Sequence, residues 1–228
     1  MGKRAESRQR IEARIIELGR RHLVTHGAVG LSLRAIAREL GMVSSAVYRY
    51  VASRDDLLTL LLVDAYSELA DCVDRARDDD APWRERLRAM AHAARSWAVE
   101  APASWALLYG TPVPGYRAPR ERTVGPGTRV VGALFDVIAA GIAAGDIPPS
   151  KTVVPEPLSS DFAALREEFT FGGDDGALAK GFLAWAALVG AISLEVFGQY
   201  GPDTLTDPAA VFDLQIGLLI DALAMDKG

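Results

Sequence analysis

An all-α fold is predicted from three observations on this 228-residue chain. Apolar residues recur at helical spacing through most of its length, and strand-type alternation is almost absent. Capping residues, prolines and glycines punctuate that periodicity where helices should start and stop. Residues 31–58 read as a helix, a tight turn, a second helix and the start of a third. The predicted architecture is an N-terminal three-helix helix-turn-helix domain over residues 1–54 and a larger helical domain over residues 55–228. The length suffices for a small domain of about 50 residues beside a larger one with its own core.

The first helix is expected from about Ser7 to His26, with Ile11, Ile15, Leu18 and His22 on one stripe and Gly27 as its stop. The second carries Leu31, Leu33, Ile36, Ala37 and Leu40. Ser32 is its N-cap, and Gly41 supplies the left-handed residue that ends it. Ser44 is placed to cap a third helix carrying Val47, Tyr48 and Val51. Ser53 caps a long fourth helix, with Asp56 completing a capping-box-like pair. Asp55 and Asp56 also suit the positive end of its dipole. Its apolar face is Leu57, Leu58, Leu61, Leu62, Ala65 and Leu69, and it frays at Asp78, Asp79 and Asp80.

Pro82 opens another helix through Trp83, Leu87, Met90, Ala94 and Trp97, and Pro102 starts a short one ending near Gly110. Residues 110–127 contain four prolines and four glycines, which predicts a long ordered loop or a lid. Residues 128–144 return to helix on Val131, Leu134, Phe135 and Ile138. Connections are expected at 145–157 and 172–176, and the last helices, about 177–199 and 208–225, are the most apolar.

Two short helices joined through a glycine turn make a helix-turn-helix, whose second helix enters a DNA major groove. An ordinary hairpin within a bundle would look similar. The composition of the second helix argues against it, because Ser44, Ser45, Ala46, Tyr48, Arg49 and Tyr50 are small, hydroxylated, aromatic or basic. Charge follows the same division. Residues 1–54 carry eleven basic and four acidic side chains, a net of +7, within a chain of net −5. A basic end on an acidic protein confines contact with a polyanion to that end.

Cys72 is the only cysteine, so no intrachain disulfide forms, and nothing points to an oxidising compartment. The N-terminus lacks the apolar core of a signal peptide, and the longest apolar run, around Ala184 to Ala191, is too short to cross a bilayer. A soluble cytoplasmic protein with no membrane partner is expected. No nucleophile-elbow, dinucleotide-fold, P-loop or zincin motif is present, and three histidines with one cysteine leave little for a metal site. Neither enzymatic activity, a cofactor nor a metal is expected.

The stretch from Leu31 to Leu58, with Gly41, Ser44, the Tyr48, Arg49, Tyr50 run, then Ser53, Arg54, Asp55 and Leu57, Leu58, resembles the N-terminal domain of tetracycline-repressor-like (TetR/AcrR) transcriptional regulators. The segment from Trp185 to Glu195 is similar to the C-terminal subgroup named for a Trp-His-Gly signature, with Val189 in place of the histidine. The resemblance implies a DNA-binding regulator, most simply a repressor, with a C-terminal domain for ligand binding and dimerisation. Its expected partners are double-stranded DNA carrying a palindromic operator, a second copy of the chain, and a small, mostly apolar effector of unknown identity.

Tyr48 and Tyr50 would diverge by about 200° on a helix, so they cannot both face the groove floor. The family pattern sets Tyr48 against the backbone or a thymine methyl and has Tyr50 donating to a phosphate. Val43, Ser44, Ser45, Ala46 and Arg49 would then read bases, with Arg49 either pairing bidentately with guanine or contacting only phosphate. Ser32, Arg34 and Arg54 lie near helix N-termini, where phosphate is favoured. Lys3, Arg4 and Arg8 could form an arm into the minor groove. Trp97, Trp105, Tyr109, Phe135, Phe169, Phe182 and Trp185 are candidates to line an effector pocket, although aromatics at helical spacing also build plain core. Val189, Ile192, Phe212, Ile216, Leu219, Ile220 and Leu223 are expected at an isologous four-helix dimer seam. Glu195 could pair across an interface or face a pocket. A DNA-binder without an effector, or an all-helical enzyme, are the alternative readings.

Overall fold

The computed structural model describes residues 3–150 and 152–225, and the side chains of Lys3 and Arg4 lie outside that description. Among the described residues there are ten helices: α1 (Lys3–His26), α2 (Leu33–Glu39), α3 (Ser44–Val47), α4 (Arg54–Ala76), α5 (Trp83–Glu100), α6 (Pro102–Tyr109), α7 (Arg120–Ala143), α8 (Leu158–Glu168), α9 (Asp175–Val196) and α10 (Pro208–Ala224). The chain forms two compact units, one of residues 1–68 with 100–127 and the other of 69–99 with 128–228. The expected boundary after residue 54 is therefore not the boundary of compactness.

The reason is visible in the core of the first unit. Ile15, Leu18, Leu33, Ile36, Val47, Leu57, Leu58 and Leu61 are buried together, and Ala103 and Leu107 of α6 pack against them with Val113 and Tyr116. Gly19 permits the close approach of α1 and α4, since a Cβ there would stand 2.9 Å from Leu61. Gly27 and Gly41, at φ +64° and +66°, end α1 and α2 in the left-handed region. Ser32 Oγ accepts from the Ala35 amide at 3.4 Å, and Ser53 Oγ accepts from the Asp56 amide at 3.0 Å. Both caps match the sequence reading.

Three elements differ. First, α1 begins at Lys3 rather than near Ser7, so residues 3–8 are the opening turns of a helix and not an extended arm. Second, α3 spans only Ser44–Val47, and its N-cap is Val43, with no side-chain cap. Ser44 already has helical geometry, and the chain then tightens into i→i+3 bonds, Arg49 to Ala46 at 3.4 Å and Tyr50 to Val47 at 2.9 Å. Third, the predicted loop at 110–127 is half helix, because α7 starts at Arg120 and runs through Pro126. Helix formation is cooperative, and the seventeen residues from Gly127 to Ala143 outweigh the one ladder bond a proline forfeits.

In the second unit, α9 packs on α8 and α10. Phe135 lies at its centre, 5.1 Å from Phe169, 5.5 Å from Phe171 and 5.8 Å from Phe182 by ring centroids. Gly181 makes room for it, since a Cβ would meet the Phe135 ring at 2.6 Å. Glu195, left open by the sequence, makes a two-point ion pair with Arg95 within the same chain, at 2.7 and 2.5 Å. Both side chains are about 85% buried. Removing one partner of such a pair strands a buried charge, so Arg95→Ala is expected to destabilise the fold by about 3 kcal/mol, read by urea denaturation.

Thr170, which follows α8, is held at φ +52°, a region β-branched residues avoid. Its amide and that of Phe171 close the helix end on the carbonyls of Glu167 and Arg166 at 3.2 and 2.8 Å, which enforces the conformation. Thr170→Gly is expected to raise stability by about 0.5–1 kcal/mol, measured as a higher thermal midpoint.

α7 and α9 are each long and apolar enough to cross a membrane by length and composition, which corrects the estimate from uninterrupted apolar runs. In α9 the buried positions Leu178, Gly181, Ala184, Leu188 and Ile192 fall on one face, as in a helix packed on its own protein.

Candidate nucleic-acid interface

α2 and α3 pack on each other, and Val47 is the buried anchor of the shorter helix. That burial turns the neighbouring residues outward. Val43 is 72% exposed and Tyr48 44%; Ser45 and Arg49 are exposed, and Ser44 and Ala46 half-buried. Six of the predicted base- and backbone-contacting residues thus share one accessible turn. Arg34 is exposed on α2, and Ser32 is half-buried and occupied with its cap.

Tyr50 is placed differently. Its ring packs against the core of the first unit, with the Arg8 guanidinium 5.9 Å from the ring centroid. Arg54 also departs from its expected role. Its Nη2 donates to the carbonyls of Ala28 and Val29 at 2.8 and 3.1 Å, so the guanidinium serves a turn of this chain.

Most of the remaining basic side chains of α1 are paired, Arg8 with Glu12, Arg14 with Glu17, Arg21 with Glu39, and Arg20 with both Asp64 and Glu68. Arg10, Arg34, Arg38 and Arg49 are exposed and carry no ion pair among the described residues. Sequence reasoning did not single out Arg38, which the structure leaves exposed on the same helix as Arg34. Its position four after Arg34 on one helix face was the available signal.

The seat of α2 is set partly by a buried histidine. His22 Nε2 lies 2.6 Å from the Glu39 carboxylate, with Arg21 at 3.3 Å on the other oxygen. The His22 hydrogen bond, aided by Arg21 and Arg14, holds the Glu39 carboxyl below the ordinary carboxylate range. A lowered carboxylate pKa gives stability that is present above the unfolded value and lost as pH falls through the folded one. Wild-type protein should therefore lose thermal stability across that acidic window more steeply than Glu39→Gln, as followed by circular dichroism.

The profile described as "Bacterial regulatory proteins, tetR family" matches residues 15–61, and that described as "Tetracyclin repressor-like, C-terminal domain" matches residues 87–219. The chain belongs to the TetR family. It is similar to HTH-type transcriptional regulator Rv1816 of Mycobacterium tuberculosis, at 66% identity over 98% of this chain and 97% of the relative. Among solved structures it is similar to SCO4313, with TM-score 0.77, 31% identity, and 96% and 100% of the two chains covered. It shares its fold with Bacillus subtilis FadR, solved in complex with stearoyl-CoA, with TM-score 0.65, 13% identity and coverage of 91% and 97%. The protein is a helix-turn-helix transcriptional regulator, and the first match spans the elements just described.

In this TetR-family protein the aromatic residues expected around an effector are mostly packed against other rings. Trp105 is fully buried and contacts Tyr109, which also meets Tyr66 at 6.5 Å; all three belong to the first unit. Burial pushes the Tyr109 phenol far above its ordinary range. Phe135, Phe169 and Phe182 join Phe162 and Phe171 in the ring cluster of the second unit, which also holds the half-buried Trp185. Trp97 is buried, and its indole N–H has no hydrogen-bond partner among the described residues. Phe169 lines an open cavity of about 360 Å³ with Arg77 and Arg129. A second cleft, of about 440 Å³, lies within the first unit between the turn after α1 and α6, lined by Leu23, Val29, Leu107 and Val113.

The expected dimer seam requires correction at five positions. Ile192, Phe212, Ile216, Ile220 and Leu223 are 0–4% exposed in the single chain and therefore form its own core. Val189 and Leu219 are half-buried. The large apolar side chains that α9 and α10 leave partly or mostly in solvent include Phe182 (38%), Leu183 (66%), Leu194, Leu214 (68%) and Leu218 (70%).

Proposed function

We propose that this regulator binds a palindromic operator as a homodimer and releases it on binding a small, mostly apolar ligand. The observation that carries the DNA reading is the accessible turn from Val43 to Arg49 beside the unpaired Arg34, Arg38 and Arg49. Ser44, Ser45, Ala46 and Arg49 read base edges, Val43 meets a thymine methyl, and Tyr48 contacts the backbone. Arg34 and Arg38 supply phosphate contacts. One such element reads too few base pairs for specificity, so two copies on a two-fold site are required. Exposed leucines on α9 and α10 support pairing through those helices. The site of action is the bacterial cytoplasm, where the operator is.

Ligand control is supported by the fold shared with FadR, which was solved in complex with stearoyl-CoA. The α4 helix passes without a break from residues of the first unit to residues of the second, which makes it the element a ligand would bias. A ligand shifts DNA binding only if it prefers one of the two states. The dense packing of Phe135 and Trp105 favours the alternative, a DNA-binder without an effector. Mobility shifts with the region upstream of its own gene test the first claim, and a two-fold symmetric footprint is expected. A thermal-shift screen of apolar compounds, followed by operator binding with the hits, tests the second. Hits that stabilise the protein and leave DNA affinity unchanged would refute ligand control.

A further inference from the structure

We propose that Arg54 is a positioning residue for DNA recognition: it holds the turn that leads into α2 instead of contacting a phosphate. This rests on the helix-turn-helix reading above and departs from the phosphate role its position suggests. The turn at residues 27–30 contains two glycines, and its internal backbone bond is Gly30 to Gly27 at 3.2 Å. Val29 on that turn is 71% exposed, and of its four residues only Ala28 packs against the core. The carbonyls of Ala28 and Val29 instead both accept from Arg54 Nη2, at 2.8 and 3.1 Å.

Arg54 is the first residue of α4, directly after the Ser53 cap. Its stem is therefore anchored in the helix whose Leu57, Leu58 and Leu61 form the core of this unit. Two residues beyond the turn stands Ser32, the N-cap of α2, and α2 in turn carries Arg34 and Arg38 and packs on α3. The guanidinium thus ties α4 to the point where the DNA-reading pair of helices begins. A charged donor on two carbonyls makes strong hydrogen bonds, and both its Nη2 hydrogens are consumed by them. Losing them frees the turn, and DNA binding must then re-order it.

Arg54→Gln and Arg54→Ala separate this role from phosphate contact. The probes are a duplex enriched from a random library by the wild-type protein and a scrambled duplex of equal length. A positioning role predicts about ten-fold or greater loss of affinity for the enriched duplex. Binding to the scrambled duplex, and the slope of log affinity against log salt, should stay at wild-type values. Arg38→Ala, an exposed unpaired cation, should lower that slope by about 0.9 per half-site and calibrates the assay. Amide exchange at residues 28–36 of the free Arg54→Gln protein should accelerate about ten-fold or more. A slope loss matching that of Arg38→Ala, or exchange unchanged over 28–36, overturns the proposal. If wild-type protein enriches no duplex, the DNA reading fails, and the exchange measurement still decides whether Arg54 holds the turn.

Discussion

Replacing Tyr48 and Arg49 together by alanine is expected to abolish operator binding and leave the protein folded. Both side chains are exposed, and neither makes a salt bridge among the described residues, so their removal takes little from the core. Buried Val47 beside them keeps the turn in place. A bidentate Arg–guanine contact is worth about 1–3 kcal/mol, and a dimer loses it at both half-sites. The combined loss should exceed about 100-fold, with the thermal midpoint within a degree or two of wild type. A folded double variant that shifts the operator normally would place DNA recognition elsewhere on the chain.

Leu218→Glu, or Leu183→Glu on the neighbouring helix, is expected to convert a dimer into monomers at micromolar concentration. Each leucine is about two-thirds exposed in the single chain, so a charge there costs the protomer little. At a two-fold seam the same charge meets its own copy after desolvation, a penalty of several kcal/mol. Sedimentation equilibrium reads the mass, and operator affinity should collapse with it, because one half-site alone binds weakly. A wild-type protein that is monomeric at these concentrations would refute the seam. The choice of residue matters: Ile220→Glu would strike a side chain 4% exposed in the protomer and unfold it, so its failure would say nothing about dimerisation.

Much of the helix-turn-helix was legible because its signals are local. Ser32, Gly41 and Ser53 act on backbone within four residues of themselves, and the structure has each at its expected duty. The reading failed where a local rule competed with a cooperative one. Pro126 and its flanking glycines announce a break, yet the helix that follows extends back through them. Ser44 has the chemistry of a cap, but the residue with extended geometry is Val43.

The sequence by itself determined the helical class, the place of the helix-turn-helix, the basic first quarter and the family. Each follows from spacing along one chain, and spacing is what a sequence records. Only the tertiary structure decided which way individual side chains turn. Tyr50 faces the core and Tyr48 the solvent, although a family motif treats them as one cluster. Arg54 closes on two carbonyls 25 and 26 residues earlier in the chain. On α9 and α10, leucines and isoleucines of equal hydrophobicity divide between core and surface according to which neighbour each meets. A helix apolar on all sides carries no record of which side is covered, because burial free energy is non-directional and depends only on the area another element removes from water.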